Sequence, residues 1–271
     1  MKKLHFYYRM FSGFSSMISD HSFTLQCVPE SNDVQQIEIR KKQIAPVEWI
    51  ARGKDSFGYS YLYGNTKEGH DSFCVEIEGT ALVSRVGGYV FGDAEGGQKM
   101  YCFPTELTAC SPEMRALASR YQKEYFDQEK NPAAFADVMY ALMHEVFSIM
   151  EYCPGTTDTR TTAAEAYASK KGVCQDYAHI FIGLCRALGI PAVYVAGYMT
   201  GEGASHAWVA VFDSERGRWY EIDPTNDRWV DDGYISVSHG LDSADCIMNK
   251  GIFRGVAQEN QEITVIVEEI E

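Results

Sequence analysis

Three side chains in the second half of the sequence, Cys174, His206 and Asp223, are of the types and in the chain order that could open an amide bond. A thiolate attacks the carbonyl carbon, an imidazole shares the thiol proton and later hands it to the leaving amine, and a third group orients the imidazole. Cys174 follows Gly172, where a short helix ends and a strongly apolar one begins. A helix N-terminus offers a thiol the positive end of the macrodipole and unpaired backbone N–H groups, which favour thiolate and can receive the oxyanion of a tetrahedral intermediate. Cys185, further along the same helix, falls on its apolar face and reads as core. Among the seven histidines, His206 stands at the mouth of a strand, after the flexible Gly201-Glu202-Gly203-Ala204-Ser205. Asp223 ends the next strand. If residues 213–218 close an antiparallel hairpin, positions 206 and 223 fall within about one residue pair, with Cβ atoms roughly 4.5–8 Å apart, and the carboxylate should reach the imidazole Nδ1.

Each residue alone has a plainer explanation. A histidine beside Trp208 is commonly structural, and Asp223-Pro224-Thr225-Asn226 would serve as a turn. The conjunction of the three, in this order and at these element ends, is what points to chemistry. Of the neighbours, Asp176 reads as an early-turn acid that complements the helix dipole, and His179 projects away from the nucleophile and reads as structural.

The elements that must hold these residues follow from local signals. Ser111-Pro112-Glu113 starts a helix, with Met114, Leu117, Tyr121 and Tyr125 at helical spacing. Asn131-Pro132 starts a second, whose apolar positions from Phe135 to Met150 repeat every three or four residues. Thr162 and Glu165 form a capping box for a short helix ended by Lys170-Lys171-Gly172. The helix from Cys174 to Leu188 is closed by Gly189 and Pro191. Ala192–Tyr198, His206–Phe212 and Trp219–Asp223 then read as strands. Before residue 105 the pattern differs: Ser22–Val28, Gln35–Arg40, Phe57–Tyr63, Ser72–Ile77 and Ala81–Val86 are short β-rich runs that suggest an antiparallel sandwich or barrel. Gly-Gly at 87–88 and 96–97, then Pro104, mark loops, so the chain divides into a β-rich domain over 1–105 and an α+β unit over 106–271.

Composition narrows the partners. A net charge of −14 disfavours nucleic acid and anionic membranes, both of which select surplus Lys and Arg, and leaves a neutral or cationic substrate. Lys2, Lys3 and Arg9 interrupt any apolar leader core, and no run approaches the ~18 apolar residues of a spanning helix. The eight cysteines form no Cys-x-x-Cys pair and no zinc-ligand spacing, which suits free thiols in a reducing cytoplasm and implies no metal.

The same residues resemble the bacterial transglutaminase-like family. Thr161-Thr162-Ala163-Ala164-Glu165, Gly172-Val173-Cys174-Gln175-Asp176-Tyr177-Ala178-His179, Arg186-Ala187-Leu188-Gly189-Ile190-Pro191-Ala192, Ser205-His206-Ala207-Trp208-Val209 and Asp223-Pro224-Thr225-Asn226 carry the likeness. It implies a catalytic triad of Cys174, His206 and Asp223 on a papain-like α+β core, helices packed on an antiparallel sheet, preceded by a β-sandwich-like domain. Ile44-Ala45-Pro46 and Asp55-Ser56-Phe57-Gly58 resemble words of that preceding domain. Toward the C-terminus, Leu241 and Ser243 stand where the family usually has Arg and Tyr. Papain-like enzymes place an oxyanion-binding Gln six residues before the nucleophile, and here that position is Ala168. No loop resembling a calcium site stands out, and no cofactor is implied.

Three functions compete: a cysteine peptidase or amidase in which water resolves the thioester, a transglutaminase in which a primary amine does so, and a silent scaffold. The intact set of three disfavours the scaffold. Hydrolysis of a peptide or protein substrate demands less than crosslinking, which needs a two-sided cleft that excludes water.

Overall fold

Alternation builds the first sheet. The computed structural model describes residues 1–85, 97–123 and 134–271. Strand β1 (Lys2–Leu25) buries Leu4, Phe6, Tyr8 and Met10 on one face, the period of a half-buried strand. Register shifts between Gly13 and Ile18 and between Ser19 and Ser22 split its pairing. The first half pairs with β5 (His70–Val83) and the second with β4 (Ser60–Thr66), all antiparallel. β2 (Gln35–Ala45) flanks β5, and β3 (Trp49–Lys54) flanks β4. The runs expected at 72–77 and 81–86 are one strand, because Gly79 pairs with Ile39 inside the ladder and makes no turn; residue 86 and the glycines at 87–88 and 96 lie outside the described residues.

Two C-terminal strands complete this sheet. β13 (Asn249–Arg254) and β14 (Glu259–Glu269) pair antiparallel with β1, giving seven strands. A division at residue 105 therefore does not describe the strand pairing: residues 249–269, expected with the α+β unit, close the open side of β1 and bury Val265 and Val267.

The second sheet is five-stranded, in the order β11-β10-β9-β8-β12, from β8 (Ala192–Met199), β9 (His206–Asp213), β10 (Arg218–Asp223), β11 (Arg228–Trp229) and β12 (Tyr234–Gly240). Helix α4 (Cys174–Ala187) lies on β8 and β9, with α1 (Pro112–Tyr121), α2 (Phe135–Ile149) and α3 (Ala163–Ser169) packed around it. Ser111 caps α1 as expected; Tyr125 and the start expected for α2 at 131–132 lie outside the described residues. The fold is α+β, with helices packed on an antiparallel sheet. Among the described residues no helix is long and apolar enough to cross a membrane.

One hydrophobic core runs through both sheets. Phe6 and Tyr8 from β1 meet Tyr198 of β8 at 6.3 and 5.5 Å between ring centroids, and the Tyr198 hydroxyl donates to the Cys27 carbonyl. The amide of Gln35 bridges to the Ser236 backbone by bonds of 2.8 and 2.9 Å. Position 197 shows how tight the second sheet is: a Cβ on Gly197 would lie 2.2 Å from the Ile235 carbonyl oxygen and 2.5 Å from the Trp208 ring. Because Gly197 also pairs with His206, Gly197→Ala should force the strands apart, lowering stability by about 1–3 kcal/mol as overpacking does; a calorimetric melt indistinguishable from wild type would show that the ladder yields freely there.

Candidate active site

Local structure sets Cys174 first. Helix α3 starts with the expected capping box of Thr162 and Glu165 and ends with Lys170 in the left-handed conformation, φ 58°. The chain then runs through β7 (Lys171–Gly172), which pairs parallel with β6 (Glu151–Tyr152), and turns into α4. A side chain at Gly172 would collide with Asp176, whose Cβ and Oδ2 lie 2.6 Å from the Cβ position. The carboxylate of Asp176 folds back instead, accepting from the Val173 N–H at 2.7 Å and the Thr157 hydroxyl at 2.7 Å. Asp176 is thus more than a dipole complement: it is buried and ties the residue before Cys174 to the helix. Burial pushes its pKa up against those hydrogen bonds. The N–H groups of Asp176 and Tyr177 both bond to the Val173 carbonyl, which leaves those of Cys174 and Gln175 at the open helix start.

His206 and Asp223 come from the hairpin. Ile222 pairs with Val209, so His206 and Asp223 lie on a diagonal two residues off register, wider than the single pair expected from sequence. The long side chains close the gap: His206 and Asp223 Oδ2 are 2.8 Å apart. The contact uses Nε2, where the sequence reading expects Nδ1. Nδ1 is buried without a hydrogen-bond partner among the described residues, and Cys174, which lines the same cleft, interacts with the ring.

Asp223 is saturated. Its Oδ2 also accepts from the Asn226 amide at 2.7 Å and the Tyr234 hydroxyl at 2.8 Å, while Oδ1 accepts from the Thr225 and Asn226 N–H groups. The Tyr234 hydroxyl in turn accepts from Arg228 Nε at 2.9 Å. Asn226 was visible as part of a motif; Tyr234 and Arg228 were not, since no local spacing relates them to position 223.

Burial lowers the proton affinity of His206, but hydrogen bonds and charge from Asp223 and Cys174 outweigh it and raise its pKa to about 10. Burial alone would raise the pKa of Asp223, and His206, Asn226 and Tyr234 together bring it down. The signs give a window. His206, raised above 6.5, contributes stability that is complete below that pH and lost as pH rises through about 10; Asp223, lowered below 3.8, contributes stability that is lost only as pH falls beneath that value. Across neutral pH the pair is charged and stabilising.

Cys174, half-buried, and His206 open on a cleft of about 820 Å³. Leu107, Tyr194 and Met248 line it with Gln175, Gln261 and Ile263, so β14 supplies part of the wall. Ala168 is exposed and lines none of it. The Gln175 amide donates to the Asp158 carbonyl at 3.1 Å. His179 is buried, with burial lowering its pKa to about 4, and its Nε2 accepts from the Ser243 N–H at 3.2 Å. Arg186 donates to the Leu241 carbonyl at 2.7 Å. The segment around Leu241 and Ser243 is therefore gripped through its backbone. Among the described residues no group of three or more His, Cys, Asp or Glu side chains could hold a metal ion.

Residues 119–224, spanning α4 and all three residues above, match the family model described as transglutaminase-like superfamily. An uncharacterised protein of Mycobacterium leprae is 34% identical over 172 residues, 60% of this chain and 58% of its own length. The protein-glutamine gamma-glutamyltransferase of Pseudomonas aeruginosa is 30% identical over 127 residues, 42% of this chain and 18% of its own length. A Cytophaga hutchinsonii protein described as a candidate cysteine protease has the same fold, with a TM-score of 0.76 at 21% identity over all of this chain and 91% of that one.

Two substitutions separate the roles of the ring's partners. Asp223→Asn should lower the His206 pKa and slow iodoacetamide alkylation of Cys174 near neutral pH, whereas Tyr234→Phe, which removes one neutral donor to Asp223, should change that rate less than about tenfold. Equal labelling of wild type and a folded Asp223→Asn variant would show that the carboxylate does not govern the thiol–imidazole pair.

Proposed function

We propose, since residues 119–224 match the transglutaminase-like superfamily, that the protein is a thiol enzyme that hydrolyses amide or peptide bonds, a cysteine peptidase or amidase. The observation that carries this reading is the grouping of Cys174, His206 and Asp223, in which a buried carboxylate lies 2.8 Å from the imidazole and Cys174 interacts with the same ring. The thiolate sulfur of Cys174 bonds to the substrate carbonyl carbon. The oxyanion so formed faces the N–H groups at the start of α4. His206 gives its proton to the leaving nitrogen, the C–N bond breaks and a thioester remains. Water then attacks the thioester while His206 takes a proton from it; the C–S bond breaks, and acid and thiol are released. A peptide or protein of neutral or cationic character suits the charge of −14, and the eight free cysteines suit a cytoplasmic setting.

A second reading has one observation in its favour: the identity to the Pseudomonas aeruginosa gamma-glutamyltransferase over 42% of the chain. There a primary amine, not water, would attack the same thioester. Incubation with a glutamine-containing peptide, with and without a primary amine, followed by mass spectrometry separates the two. Hydrolysis should add no amine mass and should be abolished by Cys174→Ala; an amine-dependent mass increase would establish transfer instead, and turnover retained by Cys174→Ala would refute the thiol mechanism.

A further inference from the structure

Strand β14 presents a free edge to the cleft. Its direction is fixed by three hydrogen bonds. At one end of the β1–β14 ladder the Ile270 N–H donates to the Lys3 carbonyl at 2.9 Å, and at the other the Ser15 N–H donates to the Gln258 carbonyl at 3.0 Å. In an antiparallel ladder both main-chain groups of a residue point to the same side, and the side alternates along the strand. Even-numbered residues of β14 thus face β1, and odd-numbered ones face away. The third bond agrees: the Val265 N–H donates outward to the Gly203 carbonyl at 2.9 Å.

Two residues before Val265 stands Ile263, and two before that Gln261; both are exposed, both line the cleft that holds Cys174 and His206, and both turn their N–H and C=O groups outward. The loop that satisfies Val265 leads within three residues to His206. The free edge therefore begins where the reactive ring begins. A row of donors and acceptors repeating every two residues is matched by an extended polypeptide and by little else.

We infer that the cleft binds its substrate as an extended polypeptide strand added to the edge of β14 at Gln261 and Ile263, recognised through its main chain. This rests on Cys174 being the nucleophile. It narrows the substrate from amides in general to unfolded or loop segments of a polypeptide, and it accounts for a C-terminal strand returning to wall a site built by α4 and β9.

The test uses thiol-directed chloromethyl ketones on the full chain, with iodoacetamide as a probe that needs no strand. Main-chain recognition does not require particular side chains, so a tetra-alanyl chloromethyl ketone should alkylate Cys174 faster than the acetyl-alanyl one. N-methylation at one alternate set of its amides should lower that rate about tenfold per lost hydrogen bond, and methylation of the other set should do so far less. Ile263→Pro removes an outward N–H while sparing the bonds to β1, and should abolish the advantage of the longer probe; Ile263→Ala, which keeps the N–H, should preserve it. The N-methyl series on wild type decides the matter should the proline variant fold poorly. A longer probe with no advantage, or one indifferent to which amides are methylated, overturns the strand-addition mode. Failure of iodoacetamide to label Cys174 overturns the nucleophile assignment itself and is read separately.

Discussion

A buried carboxylate that must stay ionised governs this site. Asp223 is fully buried, and an isolated charge there would cost several kcal/mol. The fold meets that cost by aiming the His206 ring, the Asn226 amide, the Tyr234 hydroxyl and two backbone N–H groups at its oxygens. The position of the ring follows from that arrangement, because an imidazole held by one nitrogen against a fixed carboxylate presents the other in one direction. Cys174, placed at the start of α4 by Gly172 and Asp176, interacts with the same ring.

The support extends into the β-rich half. Arg85, just past β5, donates to the Tyr234 carbonyl at 2.8 Å and pairs with the buried Glu221 of β10. Tyr234 is thus gripped at its backbone by one half of the chain while its hydroxyl serves Asp223 in the other. With the shared core under Tyr198 and the return of β14 to β1, the first sheet is a structural part of the site. Losing Arg85 would take from the buried Glu221 the nearest of its charge partners, within the strand that ends in Asp223.

Legibility in sequence tracked the locality of the cause. The bounds of α4, β8, β9 and β10 were readable because Gly189, Pro191 and the 213–218 loop punctuate strong apolar patterns. Cys174, His206 and Asp223 were readable as element ends. The ring nitrogen facing Asp223 was not, since it depends on which side α4 approaches. Tyr234 and Arg228 escaped because their link to Asp223 crosses the sheet face. The strands at 249–269 escaped because few of their side chains are buried, so their pairing with β1 leaves little hydrophobic period to see. The alternation of the first residues is that of β1.

The charge state of His206 decides whether thiol and imidazole act as a pair, and nuclear magnetic resonance of the imidazole in isotope-labelled protein reads it directly. Titrated from pH 5 to 10, His206 in wild type should remain cationic well above neutrality, and its pKa should fall in Cys174→Ala as one of the two groups that hold it charged is removed. A ring that loses its proton near pH 6.5 in wild type, or whose titration is unchanged by Cys174→Ala, would contradict a thiol and an imidazole sharing one proton at this site.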